Sequence, residues 1–189
     1  MGHPSLLNGK GKIALRTTAG IHELICFVTA SSPRHISLNT LIEFSTLYYC
    51  YLYVMQRPDA ELRELLQKAM ASINIDNLEH LKQVLFTAPK NSPVQLSKDS
   101  FRGNIALRIS PEIHILLLHI NKNDLKQGVI NRALQVSVLY YCYLYVTQFP
   151  NQTSMRVLKK AMTGIVVNGA HNLVEVKSEL QIKQILDLR

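Results

Sequence analysis

The chain has 189 residues, enough for one or two domains, and 47% of them are apolar, which provides for a packed core and excludes a disordered chain. No apolar run reaches the roughly 18 residues of a membrane-spanning helix, and the opening residues MGHPSLLNGKGK lack the apolar stretch of a secretion signal. With 21 Lys and Arg against 13 Asp and Glu the net charge is +8, the electrostatic profile of a protein that meets a polyanion.

Residues 11–70 align without a gap with residues 103–162 at a constant offset of 92, and 24 of the sixty aligned pairs are identical. The anchors are GKIALR against GNIALR and the heptapeptide YYCYLYV, present at 48–54 and again at 140–146. Two copies are too few for a solenoid, which needs three or more to bury a continuous core. They suit a pair in which each unit covers a face the other cannot bury alone.

Each copy opens with a strand. Ile13 and Leu15 alternate with Lys12, Ala14 and Arg16, and Ile105, Leu107 and Ile109 alternate with Asn104, Ala106 and Arg108. Period-two alternation marks a half-buried strand, and a two-stranded ribbon needs backing to be stable. A helix follows at 21–29 and 113–120; Ser110-Pro111-Glu112 supplies a cap, a first-turn proline and a first-turn acid, with Thr18 and Ala19 in register in the first copy. After a polar turn, with a short helical piece at 124–128, a second helix runs from Ser37 or Val129 to Gln56 or Gln148, and Pro58 and Pro150 end it. Apolar residues and tyrosines nearly surround this helix, so it is mostly buried.

Beyond the prolines each copy carries a tail. Helices are expected at 59–71, 76–86, 154–163 and 173–186, with Ile165-Val166-Val167 and Asn168-Gly169 as an alternative short strand and turn. The Pro- and Ser-rich stretch 87–100 reads as a linker.

The residues GKIALR…GIHEL…SLN, repeated as GNIALRISPEIHILL with Asn131, resemble the ribbon-helix-helix (Arc/MetJ/HicB-like) family of DNA-binding proteins. The resemblance covers about 11–56 and 103–148; the tails lie outside it. It implies a mainly α fold with a small antiparallel β-ribbon, a tandem ribbon-helix-helix pseudo-dimer, to which the tails read above add extra C-terminal helices after each repeat. The units would be 11–56 and 103–148, forming one intramolecular domain, with helical tails at 57–88 and 149–189 and a linker at 89–102. In that family the ribbon enters the major groove of double-stranded DNA, where base edges distinguish all four base pairs.

Carried over by motif, the base contacts are Lys12, Ala14, Arg16, Asn104, Ala106 and Arg108, the same six that alternation assigns to the non-core face. Arg and Lys suit guanine, Asn suits adenine, and Ala can touch a thymine methyl. The resemblance also implies phosphate anchoring at the start of each second helix, by Ser37, Leu38 and Asn39 and by Val129, Ile130 and Asn131, through free backbone N–H groups and the helix dipole. Val129 is not a natural cap, so the second copy departs from the pattern there; Lys126 and Arg132 are the compensating cations.

The tyrosines read as core and pair-interface packing rather than base-stacking groups, and Cys50 and Cys142 as buried thiols. The three cysteines show no CxxC spacing, which reads as reduced thiols in a cytosolic protein. His22 and His114 read as helix-surface or partly buried side chains; no acid or cysteine at ligand spacing marks a metal site. No nucleophile–base pair, paired carboxylate site or glycine-rich phosphate loop stands out, so no enzyme and no cofactor is expected. The expected partner is double-stranded DNA and no membrane, with a homo-oligomer through the helical tails or a protein partner as additions. The expected location is the bacterial cytoplasm, on the nucleoid. The function this implies is transcription regulation or an accessory role at a plasmid or other mobile element. The alternative is a protein-interaction scaffold, or an antitoxin whose tails bind a toxin.

Overall fold

The computed structural model describes residues 11–34, 36–89, 104–120 and 129–167. Among them the chain is mainly helical with one small antiparallel sheet of two strands. The order is β1 (Gly11–Arg16), α1 (Ala19–Ser31), α2 (Leu38–Met55), α3 (Ala60–Ser72), α4 (Leu78–Leu85), β2 (Asn104–Ile109), α5 (Pro111–Ile120), α6 (Val129–Gln148) and α7 (Gln152–Val167). The short helical piece at 124–128, the helix at 173–186, the turn at Asn168-Gly169 and most of the linker lie outside the described residues.

Local chemistry sets the helix starts. Thr18 accepts from the Ile21 N–H at 3.3 Å, Ser37 from Thr40 at 3.0 Å, Asp59 from Leu62 at 3.0 Å and Asn77 from His80 at 2.9 Å. Each satisfies one of the N–H groups a helix leaves unpaired at its start. Asn151 and Ser154 cap α7 reciprocally: the Ser154 N–H donates to Asn151 Oδ1 at 2.8 Å and the Asn151 N–H to Ser154 Oγ at 3.0 Å. The Thr18 cap lets α1 begin at Ala19, two residues before the apolar periodicity does. Helix α7 runs to Val167, so a strand at Ile165-Val166-Val167 is excluded.

Helix α3 ends in a Schellman turn. Asn74 takes φ 57°, its N–H donates to Ala71 O at 3.1 Å, and the Ile75 N–H donates to Met70 O at 2.9 Å. Helix α2 stops short of Pro58, and Arg57 folds back so that its guanidinium lies 3.4 Å from the Tyr53 ring centre and donates to Tyr53 O. A cation there also favours the negative end of the helix.

The two strands, with four described helices between them in sequence, meet in space. The register sets Lys12 opposite Arg108, Ala14 opposite Ala106 and Arg16 opposite Asn104. Helix α6 packs against β1 and α2 against β2, while α2 and α6 pack on each other, which supplies the backing a two-stranded ribbon requires. The core beneath is continuous: Leu15, Ile105, Leu107 and Ile109 of the strands join Leu24, Ile25, Leu41, Leu47, Leu116 and Leu139. Tyr48, Tyr140, Tyr141 and Tyr145 are buried in it, and Tyr49 meets Tyr140 edge-on between α2 and α6 at 6.4 Å. The four buried rings are packing groups and cannot stack on bases.

The tail helices pack across the chain. Helix α3 lies against α5, and α7 against α1. Ser72 Oγ meets Ser110 Oγ at 2.6 Å and Glu61 meets His119 at 3.2 Å; at the other contact Lys160 pairs with Glu23. A side chain at Gly20 would place its Cβ 3.0 Å from both Ala161 Cα and Lys160 O, so this glycine lets the backbones of α1 and α7 touch. Sequence reasoning expected the tails to add oligomerisation surfaces or a larger helical body. In the structure Leu62, Leu66, Ala69, Val157, Leu158 and Ala161 of the tails are buried against the rest of the chain.

Candidate nucleic-acid interface

Alternation along β2 divides its side chains cleanly. Ile105, Leu107 and Ile109 are buried, and Asn104, Ala106 and Arg108 are exposed. In β1 Leu15 is buried and Arg16 exposed; the side chains of Lys12 and Ala14 lie outside the described residues. Residues directly opposite on an antiparallel ribbon share a face, so the register groups the six predicted positions as three cross-strand pairs on one face.

Two asparagines fix the ends of this ribbon. Asn39, in the first turn of α2, accepts from the Arg108 N–H at 2.6 Å and donates to Arg108 O at 2.8 Å. Asn131, in the first turn of α6, accepts from the Arg16 N–H at 2.7 Å and donates to Arg16 O at 3.4 Å. Each amide thus replaces the next rung of a ladder, satisfying backbone groups that the strand end would leave to water. Two further side chains act between the same elements. Glu43, buried in α2, accepts from the Ser110 N–H at 2.7 Å, and Gln135 Nε2 of α6 donates to Arg16 O. A carboxylate at the start of α5 suits the positive end of that helix.

These side-chain roles were missed in the sequence, where Asn39 and Asn131 stood only as phosphate anchors. A signal was present: among positions 25–44, aligned with 117–136, Asn39 and Asn131 form the one identical pair. Both amides are occupied by the strand backbone. Ser37 takes up the Thr40 N–H; those of Leu38 and Asn39 have no acceptor within the helix by its geometry. Val129, Ile130 and Asn131 open α6, and the side chains of Val129 and Arg132 lie outside the described residues. The clamps therefore hold both second-helix starts, with their dipoles' positive ends, at the two ends of the ribbon.

Other groups are less suited to chemistry. Burial pushes the Cys50 thiol up to about 12 and the Cys142 thiol higher still, so both stay protonated at neutral pH. His22 Nε2 and Cys26 Sγ meet at 3.7 Å, an i,i+4 contact along α1 that the sequence reading did not single out. Among the described residues no group of three or more His, Cys, Asp or Glu is placed to hold a metal, and no helix is long and apolar enough to cross a membrane. An open groove between α4 and the C-terminal end of α6, lined by Tyr48, Glu79, Lys82, Phe86 and Gln148, carries no convergent set of catalytic groups.

No family model, no curated protein and no solved structure matches this chain.

Proposed function

We propose that this chain is a sequence-specific double-stranded DNA-binding protein that reads the major groove with its β-ribbon, and that it folds as a tandem ribbon-helix-helix pseudo-dimer with extra helices after each repeat. The observation that carries the reading is the ribbon itself: a short antiparallel pair whose apolar face is buried and whose other face presents Arg16, Asn104, Ala106 and Arg108 to solvent. The major groove admits such a ribbon, and these side chains match base edges.

The offset of 92 supports the pairing of two repeats. It carries the Lys12–Arg108 pair onto Asn104–Arg16 and the Asn39–Arg108 clamp onto Asn131–Arg16. A self-complementary contact of this kind is the mark of a two-fold interface, here within one chain. The two anchored helix starts flank the ribbon where DNA phosphates would run, and the net charge of +8 supplies the long-range attraction. Transcription regulation and an accessory role at a plasmid or mobile element both use such a reader, which would work on the nucleoid in the cytoplasm.

The alternative of tails that clamp a protein partner has less support, because α3 and α7 bury their apolar faces against α5 and α1. The test is binding to duplexes enriched from a random pool. Arg16→Ala and Arg108→Ala should each weaken specific binding by about 1–3 kcal/mol with the fold intact. Association with DNA that is unchanged in both variants and insensitive to salt would refute the reading.

A further inference from the structure

The two ends of the ribbon are chemically different. At one end the register pairs Lys12 with Arg108, two cations suited to guanine; at the other it pairs Arg16 with Asn104, one cation and one amide suited to adenine. The pairing is centred on Ala14 and Ala106. In a homodimer symmetry would make the two ends identical, whereas one chain is free of that constraint. A second difference, in the sequence, falls at the same places, where Ser37 aligns with Val129. The Asn39 clamp seats α2, with its Ser37 cap, at the Lys12–Arg108 end. The Asn131 clamp seats α6, which begins at Val129, at the Arg16–Asn104 end.

Resting on the DNA-reading function above, we infer that the cognate site is two unlike half-sites, so that the protein docks on DNA in one orientation. Residues 12 and 104, which occupy equivalent places in the two strands and differ, are the determinants of that polarity. The half under Lys12 and Arg108 is read as guanine at both contacts; the half under Arg16 and Asn104 is read as one guanine and one adenine.

The test starts from the sequence enriched from a random duplex pool. It is cut at its centre and rebuilt as two palindromes, one from each half. The wild-type protein should bind at least one palindrome about tenfold more weakly than the selected site. Asn104→Lys gives both ends a Lys–Arg pair and should move preference to one palindrome. Lys12→Asn gives both ends an Asn–Arg pair and should move preference to the other. Equal wild-type affinity for the selected site and both palindromes, or both variants moving to the same palindrome, would overturn the inference. A pool that yields no enriched sequence would overturn the DNA-reading function beneath it, an outcome distinct from either of these.

Discussion

Two tyrosines one helical turn apart in α6 show how residue environment departs from residue identity. Tyr141 donates its hydroxyl to Leu85 O at 2.7 Å, while the buried Tyr145 hydroxyl has no hydrogen-bond partner among the described residues. Removing the first oxygen leaves a buried carbonyl unsatisfied; removing the second relieves an unsatisfied group. Tyr141→Phe should therefore cost about 1 kcal/mol in urea melts, and Tyr145→Phe should be neutral or stabilising. The same heptapeptide in α2 meets other neighbours: Tyr49, aligned with Tyr141, is only half-buried. Helix α4 makes that difference, because Phe86 packs edge-on against Tyr141 at 5.5 Å. Phe86 also packs edge-on against Tyr48 at 5.6 Å, and nothing in two identical strings of seven residues records which of their tyrosines the end of α4 will cover. His114 gives a pH signature. Burial lowers its pKa below the ordinary 6.5, so the unfolded chain binds the proton more readily. Stability should be full above about pH 6.5 and fall as pH drops from there toward the lowered folded value. His114→Gln should flatten that part of the stability–pH curve; an unchanged slope would place the titrating group elsewhere.

At the scale of elements, capping and periodicity made most of the fold legible. Strand alternation at 12–16 and 104–109, the Ser110-Pro111 start and the prolines after each second helix located β1, β2, α5, α2 and α6 to within about two residues, as cap-level reading allows. What the sequence could not reveal was which helix each tail would meet. Amphipathicity shows that α3 and α7 have an apolar face but not its destination. Gly20, in the first turn of α1, was the overlooked sign, since a glycine is favoured where backbones must approach. Gly20→Leu should destabilise the chain by about 3 kcal/mol, the upper part of the overpacking range, because Ala161 and Lys160 present main-chain atoms that cannot swing aside. Thermal melts check this, and a Tm equal to that of wild type would mean α7 does not sit on α1.

Over the whole molecule, contacts cross between the half at 11–89 and the half at 104–167. The strand of one half pairs with the strand of the other, the asparagine of each second helix closes the far strand's end, and each described tail covers the other half's first helix. The outward positions Arg16, Asn104, Ala106 and Arg108 were legible because a period of two leaves no choice of face. The clamps were not, because an amide that serves a backbone and one that serves a phosphate look alike in sequence. The central claim is that the exposed ribbon face touches base edges in the major groove. Replacing guanine by 7-deazaguanine removes one major-groove acceptor and leaves pairing and the minor groove unaltered, so it probes that contact most directly. In the selected site, the replacement at the contacted guanines should weaken wild-type binding by about tenfold, and Arg108→Ala should become insensitive to it at one guanine. Full wild-type affinity for the fully substituted duplex would contradict the account.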